Sequence, residues 1–142
     1  MPSTTETITV ARPADEVLDE LADFGRLAEC DPMFDESRRL DDGPLQVGSR
    51  FHVAGSVAGS SFELDMEIVA YEPGRRVVVV GTGDGLRTRE DISTVPTDDG
   101  CEVTYDSGFE TDKPDLVEAI ADPAFTAAGK RTMRGMREWL EG

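Results

Sequence analysis

Apolar and polar positions along the chain change period twice. In "TETITV" (5–10), Ile8 and Val10 fall on one side, a strand pattern. The next stretch, "RPADEVLDELADFGRL", repeats at helical spacing. Pro13 suits the first turn, Asp15 and Glu16 suit a partially positive helix start, and Val17, Leu18, Leu21 and Phe24 mark one face. Gly25 fits a C-terminal cap. A second short helix over "RLAEC" should stop at Asp31, because a residue before proline is pushed out of helical geometry.

From there a period of two takes over. Strands are expected at 36–40, 49–57, 62–71, 76–80, 87–95 and 101–110, separated by the turn clusters "DDGP", "EPGR" and "PTDDG". The clearest is 62–71. Phe62, Leu64, Met66, Ile68 and Ala70 alternate with Glu63, Asp65, Glu67, Val69 and Tyr71, so one face is apolar and the other mostly acidic. After Pro114 the helical period returns. A short piece at 115–122 closes before Pro123. A long helix follows, with Phe125, Ala128, Met133, Met136 and Leu140 along one stripe and Lys130, Arg131, Arg134 and Arg137 mostly elsewhere. The order is strand, two helices, about six antiparallel strands, then a long helix: an α+β chain, read as one domain over 1–142.

One stretch resists that reading. "VVVVGTGDGL" (77–86) has the look of a strand entering a phosphate loop. A dinucleotide fingerprint needs G-x-G-x-x-G followed by a helix, and "LRTREDISTV" carries no helical stripe. A P-loop needs Gly-Lys-Ser/Thr, and no lysine precedes Lys113. Asp84 would also set a negative charge against a phosphate. A hairpin explains the glycines better.

Composition narrows the function classes. A chain of 142 residues is long enough to bury roughly 70% of its unfolded surface around one core. Thirty acidic residues against fourteen basic ones give a net charge of −16, which repels nucleic acid and anionic membrane surfaces. Only Lys113 and Lys130 are lysine; the other basic residues are arginine. A solvated acidic surface is the plain reading, and adaptation to a salt-rich cytoplasm the sharper one. Cys30 and Cys101 make no disulfide framework. With no signal-like segment and no long apolar run, a cytoplasmic location without stable membrane insertion is expected. Monomer and homodimer both stay open.

Little polar chemistry is on offer. With one histidine and two distant cysteines, a metal site is not expected, and nothing calls for a cofactor. His52 falls on a polar strand face and reads as an exposed structural residue. Asp65 and Glu67 share a face read as solvated. Cys30, among acids in "AECDP", is a poor thiolate and reads as a small buried residue. Tyr105 shares an apolar strand face with Val103, Ser107 and Phe109. Its hydroxyl either orients a ligand or ends a core side chain at the rim. Shape is the stronger indication. A curved antiparallel sheet with a helix across it encloses a mostly apolar space, and methionines would give it an adaptable lining. Its expected wall is Phe51, Val53, Leu64, Met66, Ile68, Tyr105, Phe109, Phe125, Met133 and Met136. Complete filling of that space by these side chains is the alternative. Gly129 and Gly135 weaken the last helix and are expected to allow close approach to sheet or ligand, or to be simply tolerated.

Several segments together resemble the polyketide cyclase/dehydrase-like, or SRPBCC (START-like), superfamily. They are "ITVARPADEVLDELADFGRLAECDP" with its "PA-x-x-V" and "D-F-x-R" signatures, "VGSRFHV", "EIVAYEPGRRVVV", "GCEVTYDSGFE" and "MRGMREWLEG". Cys30 departs from the pattern, since similar proteins often carry tryptophan near the Asp31-Pro32 pair. The resemblance implies a helix-grip (START/Bet v-like) fold: a seven-stranded antiparallel sheet around the C-terminal helix, with two short helices after strand one. It also implies a small hydrophobic ligand such as a lipid, isoprenoid, quinone or polyketide-like metabolite. Cyclase or dehydratase activity on the same scaffold, using Tyr105 and Arg50 or Arg89, is the alternative. So is an interaction module built on the acidic face 63–67. The superfamily transfers no catalytic set to these residues.

Overall fold

The structure, a computed structural model, describes residues 3–142. Seven strands form one antiparallel sheet: β1 (Ser3–Val10), β2 (Phe34–Arg39), β3 (Arg50–Val57), β4 (Ser60–Glu72), β5 (Arg76–Gly83), β6 (Leu86–Thr97) and β7 (Gly100–Thr111). Their order across the sheet is β1-β7-β6-β5-β4-β3-β2, so only β1 pairs out of sequence. The helices are α1 (Ala14–Ala22), α2 (Leu27–Cys30), α3 (Pro114–Ala121) and α4 (Pro123–Glu141), with a 3₁₀ turn at Phe24–Arg26 ahead of α2. Among the described residues, no helix is long and apolar enough to cross a membrane. The sheet curls into a half-barrel around the C-terminal helix, the helix-grip fold that the sequence pattern implies.

Local sequence accounts for most boundaries. Asp122 caps α4 by accepting the Ala124 N–H at 2.8 Å, and Pro123 takes the first helical position, where no N–H is needed. Helix α1 ends at Asp23, two residues before the expected Gly25. There the Asp23 carboxylate accepts the Gly25 N–H at 3.0 Å and starts the 3₁₀ turn instead. The glycine stretch is the β5–β6 hairpin. Asp84 and Gly85 have φ of 50° and 73°, the two left-handed positions of a type I′ turn. Asp84 Oδ2 also accepts the Glu63 N–H at 2.9 Å, tying the turn to β4.

Strand β4 departs from simple alternation. Its register shifts between Ile68 and Ala70, so Val69 is the bulged residue and the parity reverses beyond it. Tyr71, expected on the acidic face, therefore packs against the core and donates its hydroxyl to Asp19 of α1 at 3.0 Å. Burial, with the Asp19 carboxylate beside it, pushes that phenol up to about 12.

The core occupies the concave side of the sheet. Val17, Leu18 and Leu21 of α1 join Val77, Val79 and Ile92 there, all buried. Helix α4 lies along β1, at the sheet edge opposite β2. Arg12 fastens its C-terminal end by donating to the Leu140 carbonyl at 2.8 Å while pairing with Glu20. The Arg26 guanidinium lies 4.8 Å from the centre of the Trp139 ring. At the other edge, Ser37 of β2 takes the Ala28 N–H and donates to the Gly25 carbonyl, holding α2 on the sheet.

Candidate functional site: a cavity with an acidic end

Between sheet and helices lies a cavity of about 640 Å³. This falls within the ~300–1,000 Å³ range of small-molecule sites. Its wall draws on β1, β3, β4, β6, β7, α2, α3, α4 and the segment 31–34. Two aromatic pairs stiffen it. Phe109 of β7 meets Phe125 of α4 edge-on at 5.2 Å, and Phe34 meets Phe62 at 5.8 Å and 90°.

The structure divides the residues expected on this wall. Leu64, Met66, Tyr105, Phe109, Phe125, Met133 and Met136 line the cavity. Phe51, Val53 and Ile68 do not; they are fully buried in the packed core. The register explains the split. Phe51, Met66, Gly81 and Thr88 form one row across β3 to β6, with side chains on the same face. Phe24, from the 3₁₀ turn, covers the Phe51 end of that row, with ring centres 6.2 Å apart. Ile68 pairs with Val79, in the part of the sheet roofed by α1. One strand face thus serves packing at one end and the cavity at the other.

The polar groups of the wall are concentrated where β1, β7 and β6 adjoin. Thr4, Ser107 and Glu90 form one row, and Glu6 with Tyr105 form part of the next. Glu90 is 8% exposed and accepts the Ser107 hydroxyl at 2.5 Å. Among the described residues it has no ion-pair partner, and burial raises its carboxyl to about 7. Asp31 faces the same space from the α2 side. Burial raises its pKa, against the Met33 N–H that it accepts at 2.9 Å. Tyr105 is held well above the usual phenol range by burial and by the neighbouring Glu90 and Asp31. Thr88, 5% exposed, presents a buried hydroxyl oxygen without a hydrogen-bond partner.

Glu90 is a cavity residue that the sequence pattern does not single out. Strand 87–95 is largely polar, so periodicity by itself assigns it no inner face. The signal was parity: Leu86, Thr88, Glu90, Ile92 and Thr94 all face inward. The same parity places Arg89 on the outer face beside Asp91, and Arg50 is exposed near Glu67, so neither reaches the cavity. Cys30 is half-buried on the wall, and its thiol is pushed up to about 12 by burial and nearby acids, which keeps it protonated. Gly129 and Gly135 also line the cavity. A Cβ at either would meet nothing within 4 Å, so they permit no close packing; they leave open space.

On the convex face, His52 is less exposed than expected. Its side chain is 20% exposed between two carboxylates, Nδ1 at 3.0 Å from Asp65 and Nε2 at 3.1 Å from Glu63. Hydrogen bonds to both raise its pKa.

A half-barrel gripping a helix over a mostly apolar chamber with a few polar groups defines the START-like class of ligand-cavity folds. The chain matches, over residues 1–141, the family described as polyketide cyclase / dehydrase and lipid transport, and it belongs to that family. Solved structures carry the same fold at low identity. A START superfamily protein from Mycobacterium smegmatis is 17% identical, with a TM-score of 0.72 over 99% of this chain and 94% of that one. A STAR-related lipid transfer protein from Xanthomonas axonopodis is 15% identical, with a TM-score of 0.75 over 99% and 86%. The Zhui aromatase/cyclase from Streptomyces is 18% identical, with a TM-score of 0.65 over 97% and 95%. Among curated proteins, none matches the chain in sequence.

Proposed function

We propose that this protein binds a small hydrophobic molecule in the cavity between sheet and C-terminal helix. The observation that carries the reading is the cavity itself. About 640 Å³ stays open although Met66, Met133 and Met136, flexible enough to fill it, lie on its wall. The wall is apolar apart from a localised polar end, the pattern expected of a site that desolvates a ligand and then orients it. The likeness in fold to a STAR-related lipid transfer protein supports the same reading. Incubation with a lipid extract followed by native mass spectrometry tests it: a bound species at one per chain is expected. A chain that stays empty across such extracts, and fails to displace an apolar fluorescent probe, overturns it.

A second reading rests on Glu90. A buried carboxyl titrating near neutrality, with Ser107 and Tyr105 beside it, has the protonation behaviour of a general acid–base catalyst. That would suit cyclisation or dehydration of a bound polyketide-like substrate. Under this reading Glu90→Gln abolishes turnover while leaving ligand capture in place.

A further inference from the structure

The charge inventory of the wall is one-sided. Glu6, Cys30, Asp31, Glu90 and Tyr105 are neutral or negative in any protonation state. Among the described residues, Arg131 is the one cationic side chain on the wall, and it is exposed. Glu90 therefore lies in an apolar chamber with a single hydroxyl partner and no counter-ion, an arrangement that is costly for a carboxylate. Two residues away on the same face of β6, the Thr88 hydroxyl oxygen is buried with no partner. Gly81 leaves room for that hydroxyl, since a Cβ there would come within 2.6 Å of it. A cavity with a buried carboxyl that has no charged partner, a buried hydroxyl that has no partner and no internal cation lacks one chemical element: a cationic hydrogen-bond donor.

We propose that the molecule held here has an apolar body and a protonated amine head, the ammonium set against the Glu90 carboxylate with the Thr88 hydroxyl beside it. This deepens the hydrophobic-ligand reading and rests on it. An ammonium supplies the missing charge and up to three N–H donors. A carboxylate or phosphate head would instead face Glu6, Asp31 and Glu90 in a low-dielectric space. A neutral alcohol can hydrogen-bond but leaves the buried carboxylate uncompensated. The apolar body lies toward Phe109, Phe125, Met133 and Met136. Because free Glu90 is partly protonated near pH 7, ammonium binding should also expel a proton from it; Asp31 and Tyr105 are the other titratable wall groups coupled to it, and Asp106 acts on it from the outer face of the sheet.

Calorimetric titration of the whole protein with decylamine, decanol and decanoate tests this. The work is done at about pH 7.5, where an alkylamine with a lysine-like pKa of about 10 is charged. About 1 M NaCl screens the acidic exterior beyond roughly 3 Å. Decylamine is expected to saturate one site per chain about tenfold more tightly than decanoate, the effect of one charge-assisted hydrogen bond. Glu90→Gln should narrow that gap to about threefold or less, and Thr88→Val should weaken the amine alone. Should Glu90→Gln fail to fold, wild-type titrations in two buffers of different ionisation enthalpy must still show proton release with decylamine. Equal binding of decanoate, an unchanged gap in Glu90→Gln, or no proton release overturns the amine assignment and leaves the hydrophobic-ligand reading intact. Failure of all three probes to bind at one per chain overturns both.

Discussion

Ser107 donates its hydroxyl to Glu90 across the β6–β7 pair at 2.5 Å, and this contact is the only hydrogen bond holding the buried carboxyl among the described residues. Burial outweighs the bond, so the Glu90 pKa lies at about 7 rather than 4.5. Between these values the folded state keeps a proton that the unfolded state has lost. Stability from this group therefore falls as pH rises from about 4.5 to about 7 and stays low above it. Glu90→Gln should match wild type near pH 4 and be more stable near pH 8, by up to roughly 3 kcal/mol. Paired denaturant titrations at the two pH values check this; a difference independent of pH sinks the assignment.

His52 acts in the same direction over a higher pH window. Its folded pKa is raised above 6.5 by Asp65 and Glu63, so its stabilising contribution is full below 6.5 and lost as pH climbs through the folded value. It is the only histidine in the sequence, so one imidazole signal in a proton NMR titration reports it directly. A midpoint above 6.5 is expected, moving down toward 6.5 in Asp65→Asn. A midpoint at or below 6.5 in wild type contradicts the geometry.

Phe51 and Gly129 separate packing from the cavity. Phe51→Ala removes a fully buried ring against Phe24 and should cost ~3–5 kcal/mol of stability. Gly129→Leu adds a side chain on the cavity wall where a Cβ meets nothing, and leucine favours a helix over glycine by about 0.8 kcal/mol. Thermal melting should show the first variant destabilised and the second not. Only the second should lose probe binding out of proportion to its stability.

Gly83 is required by close approach. A Cβ there would come within 2.1 Å of the Glu63 carbonyl oxygen. Gly83→Ala must shift the β5–β6 hairpin away from β4 and should cost ~2 kcal/mol. A melting temperature equal to wild type would show that the approach relaxes freely.

The acidic surface gives a salt prediction. With a net charge of −16 and most acids exposed, self-repulsion should weaken as KCl rises to molar levels, and the melting temperature should climb. A melting temperature that does not change with salt removes the high-salt reading.

The sequence alone determined the element order, the antiparallel sheet and a hairpin within the glycine stretch 77–86. These follow from periodicity, proline and glycine, which act over a few residues. It also marked Leu64, Met66, Tyr105 and Phe109 as inward-facing by strand alternation, and Phe125, Met133 and Met136 by the helical stripe of α4. Tertiary structure decided what alternation cannot express. The bulge at Val69 turned Tyr71 from the wet face to the core. Phe24 closed over Phe51, α1 roofed the part of the sheet that holds Ile68, and Val53 was buried in the core, while the rest of the same face stayed open. Glu90 looked like one more acid among thirty until pairing with Val79 and Ser107 fixed its side of the sheet. A polar strand has no apolar face to announce its orientation, so only its register with neighbouring strands sets which carboxyl faces water and which faces the cavity.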